Sequence, residues 1–142
     1  MNCISISYKI APIEIRNLLA FDATEKKHFF DQIEGQCVLL STCNWLEIYF
    51  DIDIDAMEDQ LCRFKNLDCD VMMPYFATYT SVGAIRHLAR VACGMDSMVL
   101  GEDEIFSQVK EAYEYSRQFK KTTYSFHTIF QRVMKTVKQI KT

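Results

Sequence analysis

CVLLSTCNWLEIYFDI, running from Cys37 to Ile52, is the stretch that decides the fold. Cys37 to Leu40 is a short, continuous apolar run, as expected of a buried strand. Glu47 to Ile52 alternates in polarity and predicts a second strand. Between them lie Ser41, Thr42, Cys43 and Asn44, small polar residues suited to a tight turn. Toward the N-terminus, CISISY (Cys3–Tyr8) alternates and predicts a strand. Pro12 then suits the first position of a short helix ending near Leu19. Asp22 and Glu25 have capping-box spacing and open a helix whose apolar face is Phe29, Phe30 and Ile33, stopped by Gly35. Toward the C-terminus, Asp55 with Glu58 repeats the capping signal, and Met57, Gln60, Leu61 and Phe64 follow at helical spacing. After Pro74, YFATYT (Tyr75–Thr80) predicts a fourth strand.

The order is β, α, β, β, α, β, the split pattern of a ferredoxin-like α+β fold with an antiparallel sheet. Residues 1–80 form this half, which carries Cys43, and residues 81–142 form a helical half. Thr80 or Ser81 caps a helix with Val82, Ile85, Leu88, Ala89 and Ala92 on one face, and Gly94 ends it. A second helix over about 103–119 aligns Ile105, Val109, Ala112, Tyr113 and Ser116. A third, over about 124–140, carries a stripe of Phe126, Ile129, Phe130, Val133, Met134, Val137 and Ile140, and reads as the start of a long connecting helix.

Hydrophobic residues are 49% and charged residues 25% of the 142, which predicts a soluble globule. Only four glycines and two prolines occur, which argues against long linkers. No apolar run approaches the roughly 18 residues of a membrane span, and no secretory signal opens the chain, so the expected location is cytoplasmic and off the membrane. The six cysteines form no C-x-x-C pair and no zinc spacing, so neither a metal nor disulfides are expected. Residues 71–142 hold ten bases against six acids, with seven bases and no acid from Arg117 onward. A basic end can meet phosphates, but a solvated helix face with cations near its C-terminus is the simpler and preferred reading.

Two residues stand out for chemistry. Cys43 sits on a turn held by two strands, where a thiol can face outward, and the amides of such a turn can stabilise an oxyanion. His87 lies about 200° around its helix from Ile85. That places it either in solvent or against a second subdomain, where it can act as acid, base or hydrogen-bond donor. The segment from Gly94 to Ile105 brackets an apolar loop with Asp96 and Ser97 between two glycines, as a pocket wall would.

Four segments resemble bacterial and archaeal glutamyl-tRNA reductases. STCNWLEIY (Ser41–Tyr49) looks like that family's S-T-C-N-R-x-E-[IL]-Y. HLARVACGMDSMVLGE (His87–Glu102) is similar to H-L-x-R-V-A-x-G-L-D-S-x-V-L-G-E. QVKEAY (Gln108–Tyr113) and KIAP (Lys9–Pro12) also match in order and spacing. The resemblance implies a catalytic domain pairing a ferredoxin-like half with a helical bundle. In it, the cysteine matching Cys43 attacks the ester of glutamyl-tRNA to give a thioester, and NADPH then reduces this to glutamate-1-semialdehyde, the first step of tetrapyrrole (heme) synthesis. A thioester accepts hydride more readily than an oxygen ester, so covalent catalysis divides one hard step into two. The histidine matching His87 lines the glutamate pocket, and Thr42, Asn44, Trp45, Glu47, Ser97, Glu102 and Gln108 match positions in or near it. The resemblance further implies that NADPH binds a domain not present in these residues, that the full-length protein is a homodimer with its dimerisation segment elsewhere, and that it contacts the next enzyme of the pathway. Three departures are visible: Trp45 replaces an arginine, Tyr8 a histidine, and Glu102-Asp103-Glu104 the usual E-P-Q. Arg86 or Arg90 is then the candidate cation for the substrate carboxylate. Two other functions fit the same residues: a non-catalytic relative binding a ligand or tRNA, and an RNA-binding domain using the basic C-terminal helix.

Overall fold

The computed structural model describes residues 1–95 and 104–141. In chain order the elements are β1 (Asn2–Ser7), α1 (Ile13–Leu19), α2 (Ala23–Gln32), β2 (Cys37–Ser41), β3 (Trp45–Phe50), α3 (Ile54–Phe64), α4 (Cys69–Met72), a 3-10 turn (Met73–Tyr75), β4 (Ala77–Thr80), α5 (Ser81–Ala92), α6 (Glu104–Gln118) and α7 (Tyr124–Lys141). The four strands form one sheet in the order β2-β3-β1-β4, with every pair antiparallel.

All six residues of β3 are buried. Side chains alternate along a strand, so each face of the sheet needs its own cover. Trp45 and Tyr49, with Cys3, Val38 and Leu40 of the neighbouring strands, pack against α5, α6 and α7. Leu46, Ile48 and Phe50, with Ile4, Ile6 and Leu39, pack against the helices that precede β4, chiefly α2 and α3. The sheet is therefore the middle of three layers. Phe29 and Phe50 anchor one core, and Phe126 and Phe130 the other, each at most 1% exposed. A fully buried side chain of this size contributes about 1.5–3 kcal/mol.

The capping box at α2 forms: Asp22 Oδ1 accepts from the Glu25 amide at 2.8 Å, and Glu25 Oε1 from the Asp22 amide at 3.1 Å. Gly35 closes the following turn at φ +76°, and a Cβ there would lie 2.1 Å from Asp51 Oδ1. Other boundaries differ from the sequence expectation. β3 begins at Trp45 rather than Glu47 and stops at Phe50, because Asp51 leaves the ladder to accept from the Gln36 amide (2.9 Å) and from Gln36 Nε2 (3.1 Å). β4 begins at Ala77, since Met73–Tyr75 closes a 3-10 turn through the Phe76 amide and the Met73 carbonyl. Asp53 is the cap residue of α3, with no side-chain bond, and the Asp55–Glu58 pair lies inside the helix. On α5 the buried face is Ala84, His87, Leu88, Val91 and Ala92, while Val82 is 59% exposed.

Gln36 ties the layers together. Its Nε2 donates to Asp51 and to Ser125 Oγ (2.9 Å). Its Oε1 accepts from the Thr123 amide (2.7 Å) and the Phe126 amide (3.3 Å) at the start of α7. One buried amide thus satisfies donors at a helix N-terminus that have no partner within the helix. Replacing Gln36 with Ala leaves those groups unpaired and is expected to cost about 1–3 kcal/mol. A urea midpoint unchanged from the parent protein would show that Gln36 does not hold α7.

Candidate active site

The hairpin turn is closed by Thr42. Its amide donates to the Trp45 carbonyl at 2.9 Å, and its Oγ1 lies 3.2 Å from the Asn44 amide and 3.3 Å from the Trp45 amide. This threonine clamp fixes the turn and leaves Cys43 exposed at its tip. Arg16 of α1 braces the same turn: its Nε donates to the Cys43 carbonyl at 3.2 Å, and Nη1 to the Ala11 carbonyl at 2.8 Å. The Tyr8 amide holds the Asn44 carbonyl at 2.8 Å. The amides of Asn44 and Trp45 are thus occupied, and of the turn amides proposed for an oxyanion, that of Cys43 is the one left open among the described residues.

Two clefts meet at the thiol. One, about 100 Å³, is bounded by Asn44, Trp45, Glu104 and Ile105; the other, about 480 Å³, by Lys26, Ser41, Glu111 and Tyr115; Thr42, Cys43 and Gln108 line both. Gln108 is therefore brought beside Cys43, together with Thr42, Asn44 and Trp45.

Glu47 and His87 lie elsewhere. They line a further cavity, also about 480 Å³, with Ser5, Tyr79, Arg86 and Arg90. Trp45 borders this cavity as well as the small cleft, so it is shared between the wall that holds His87 and the one that holds Cys43. The indole is 5% exposed, and its Nε1 has no hydrogen-bond partner. His87 does not project into solvent, as its offset from Ile85 had allowed: it is buried against the sheet. Its ring stacks on Tyr79 with centroids 4.1 Å apart, and its Nε2 lies 3.0 Å from each oxygen of Glu47. An ionised Glu47 requires the proton on Nε2, which makes Nδ1 the lone-pair nitrogen of the neutral ring.

Glu47 gathers two more donors: Ser5 Oγ, directly opposite it on β1, at 2.9 Å, and Cys3 Sγ at 3.6 Å. The ligand-type atoms of Cys3, Glu47 and His87 lie within 4.8 Å of one another. Cys3, Ser5 and His87 are three donors sharing the one Glu47 carboxylate, with the imidazole equidistant from both oxygens. Burial, and then the Glu47 charge, push the Cys3 thiol well above its usual range. Burial also raises Cys37, and raises Cys62 to about 12. Ser97 and Glu102, the other two residues expected in the pocket, lie outside the described residues. Arg16, Lys26, Ser5 and Tyr79 were not singled out from the sequence. The serine and tyrosine alternate along strands toward the same face as Glu47, a signal available only once the register is known.

The domain is α+β and holds one exposed cysteine on a braced hairpin turn between two clefts. The family model described as glutamyl-tRNA(Glu) reductase, N-terminal domain, matches residues 4–142, and the chain belongs to that family. It is 35% identical, over 98% of its length, to the glutamyl-tRNA reductase of Pelotomaculum thermopropionicum, of which it covers 34%. It is 34% identical over 96% of its length to that of Bacillus mycoides, of which it covers 33%. The solved structure of the glutamyl-tRNA reductase from Methanopyrus kandleri superposes with a TM-score of 0.78 at 26% identity, over 97% of this chain and 33% of that one. The chain thus spans about a third of the length of these relatives.

Two outcomes follow from the geometry. Brief treatment with substoichiometric iodoacetamide at neutral pH should label Cys43 ahead of Cys3, Cys37 and Cys62, which react only after denaturation; peptide mapping that found Cys3 labelled first would contradict the arrangement. Replacing Glu47 with Ala strands three buried donors and should destabilise the fold by about 3 kcal/mol, measured by urea unfolding.

Proposed function

We propose that this chain is the acyl-accepting catalytic domain of a glutamyl-tRNA reductase, with Cys43 as nucleophile. The observation that carries the reading is the exposed Cys43 thiol on its braced turn, within a sequence that matches the family from end to end. The thiolate attacks the carbonyl carbon of the ester that joins glutamate to the terminal ribose. The C–S bond forms, the C–O bond breaks, and the ribose oxygen takes up the proton that the thiol gave up. A glutamyl thioester stays on Cys43 and the tRNA leaves. The strand order and the all-antiparallel pairing support reading the sheet half as ferredoxin-like.

His87, held at Nε2 by Glu47, offers Nδ1 as a base or acceptor in the cavity beyond Trp45. Trp45 carries no charge where the family pattern has arginine; Arg86 and Arg90 line that cavity and supply the positive field for the substrate carboxylate. NADPH, when bound, supplies the hydride that reduces a thioester to the aldehyde. The described residues do not fit a dinucleotide: the sheet is antiparallel throughout, and no Gly-rich turn joins a strand to a helix. The part assigned to this chain ends at the thioester, and reduction falls to residues outside it. In this reading the full-length enzyme is a cytoplasmic homodimer that passes its aldehyde to the next enzyme of the pathway. The comparisons lend no support to a binding-only role.

Incubation with labelled glutamyl-tRNA should leave one glutamyl group on the protein, detected by intact mass and removed by hydroxylamine. Cys43→Ala should abolish it. An adduct of equal yield on the variant would remove Cys43 from the chemistry.

A further inference from the structure

Cys3, Glu47 and His87 bring three different kinds of metal-ligating atom together from two strands and a helix. All three residues are buried. Cys3 Sγ lies 3.6 Å from Glu47 Oε2, His87 Nε2 lies 3.0 Å from each Glu47 oxygen, and the three ligating atoms fall within 4.8 Å of one another. In a tetrahedral zinc site built from one sulfur, one nitrogen and one oxygen, the usual bond lengths put neighbouring ligands about 3.3–3.6 Å apart. The two edges that meet at Glu47 already sit within a few tenths of an ångström of that range.

Hydrogen bonding alone leaves one group beside this cluster unexplained. Tyr49 stands directly opposite Cys3 in the ladder between β1 and β3. It is buried, and its hydroxyl has no hydrogen-bond partner. Burial, and then the charges of Cys3 and Glu47 beside it, hold its pKa well above the usual phenol range. As a thiol, Cys3 spends its proton on Glu47. As a metal-bound thiolate it would accept from the Tyr49 hydroxyl, the kind of outer hydrogen bond that supports a ligating atom. A way in exists as well. Ser5, Glu47 and His87 line the cavity of about 480 Å³, so an ion can enter from it and a solvent oxygen can fill a fourth position.

We propose that Cys3, Glu47 and His87 bind one zinc ion on the wall of this cavity, through Sγ, one carboxylate oxygen and Nε2. Two bonds to hydrogen are exchanged for bonds to metal: the Cys3 S–H and His87 Nε2–H protons leave to solvent. The thiolate and the Glu47 carboxylate then balance the two charges of the ion. A mixed sulfur, nitrogen and oxygen set suits Zn2+ rather than Mg2+ or Ca2+, which take oxygen. Metal at Nε2 leaves the remaining ring proton on Nδ1, so a loaded site and a base at Nδ1 exclude each other. No spacing motif announces the site, because its ligands meet only through the sheet register and the packing of α5.

The test uses Co2+ as an optical probe of the zinc position. It is titrated into the reduced 142-residue chain carrying Cys43→Ala, so that the exposed thiol contributes nothing. One equivalent should bind, with a thiolate-to-cobalt charge-transfer band and the intense visible absorption of four-coordinate cobalt, and Zn2+ should displace it. Cys3→Ala should abolish the charge-transfer band. Loss of a supporting partner costs about 10–100-fold in metal affinity, so loss of a ligand in Cys3→Ala or His87→Gln should weaken binding about a hundredfold or more. X-ray absorption of the zinc-loaded protein needs no change at the ligands, and should show one sulfur at about 2.3 Å with nitrogen and oxygen neighbours completing the shell. No binding of either ion, a six-coordinate cobalt spectrum, a zinc shell with no sulfur or more than one, or a charge-transfer band that survives in Cys3→Ala overturns the proposal.

Discussion

Strand β3 has no solvent side, and the chemistry of the domain depends on that constraint. Because both of its faces are covered, the two-residue period of the strand assigns each side chain to one layer or the other. Leu46, Ile48 and Phe50 go to the layer of α2 and α3. Trp45, Glu47 and Tyr49 go to the layer of α5 to α7. A slip of one residue would exchange the two sets and place a carboxylate in hydrocarbon. Glu47 tolerates its burial because three donors converge on it, from β1 and from α5. A buried carboxylate so satisfied locks the helix to the sheet, since removing it strands its three partners.

The same constraint separates buried from exposed. Glu47 and His87 are buried at the sheet–helix junction, on the wall of a cavity, whereas Cys43 stands two residues before the strand begins, where packing gives way to a turn. Thr42 and Arg16 do locally what the two cores do for the strand: they fix the backbone and leave one side chain free. In the proposed role, a thiol that accepts and releases an acyl group gains from this division, because the sulfur stays accessible while half-buried Thr42 and Arg16 set the backbone that carries it.

Much of this was legible in the sequence wherever the determining interactions are local. The Asp22–Glu25 box, the glycines at 35 and 94, the polar turn around Cys43 and the α6 face from Ile105 to Ser116 all depend on neighbours within four residues. What escaped depends on partners far along the chain. His87 falls outside an apolar stripe drawn from hydrophobic residues alone, yet its acceptor, Glu47, is forty residues away. Including it rotates the buried face of α5 from Val82 and Ile85 to Ala84, Leu88 and Val91. Asp55 and Glu58 have the spacing of a cap but sit two residues too late, because the helix already starts at Ile54 behind Asp53. The short helix and 3-10 turn at Cys69–Tyr75 span too few residues to show a period.

Trp45 binds these threads together. It is the first residue of β3, so the sheet fixes its backbone; it lies on the Glu47 face, so its indole must lie between the hairpin turn and α5. An arginine at that place would project a charge into the space next to the thiol. The indole is buried instead, and its N–H is left without an acceptor. A buried donor of that kind costs on the order of 1–3 kcal/mol until something accepts from it. That cost falls on the residue that lines both the cavity of Glu47 and His87 and the small cleft beside Cys43.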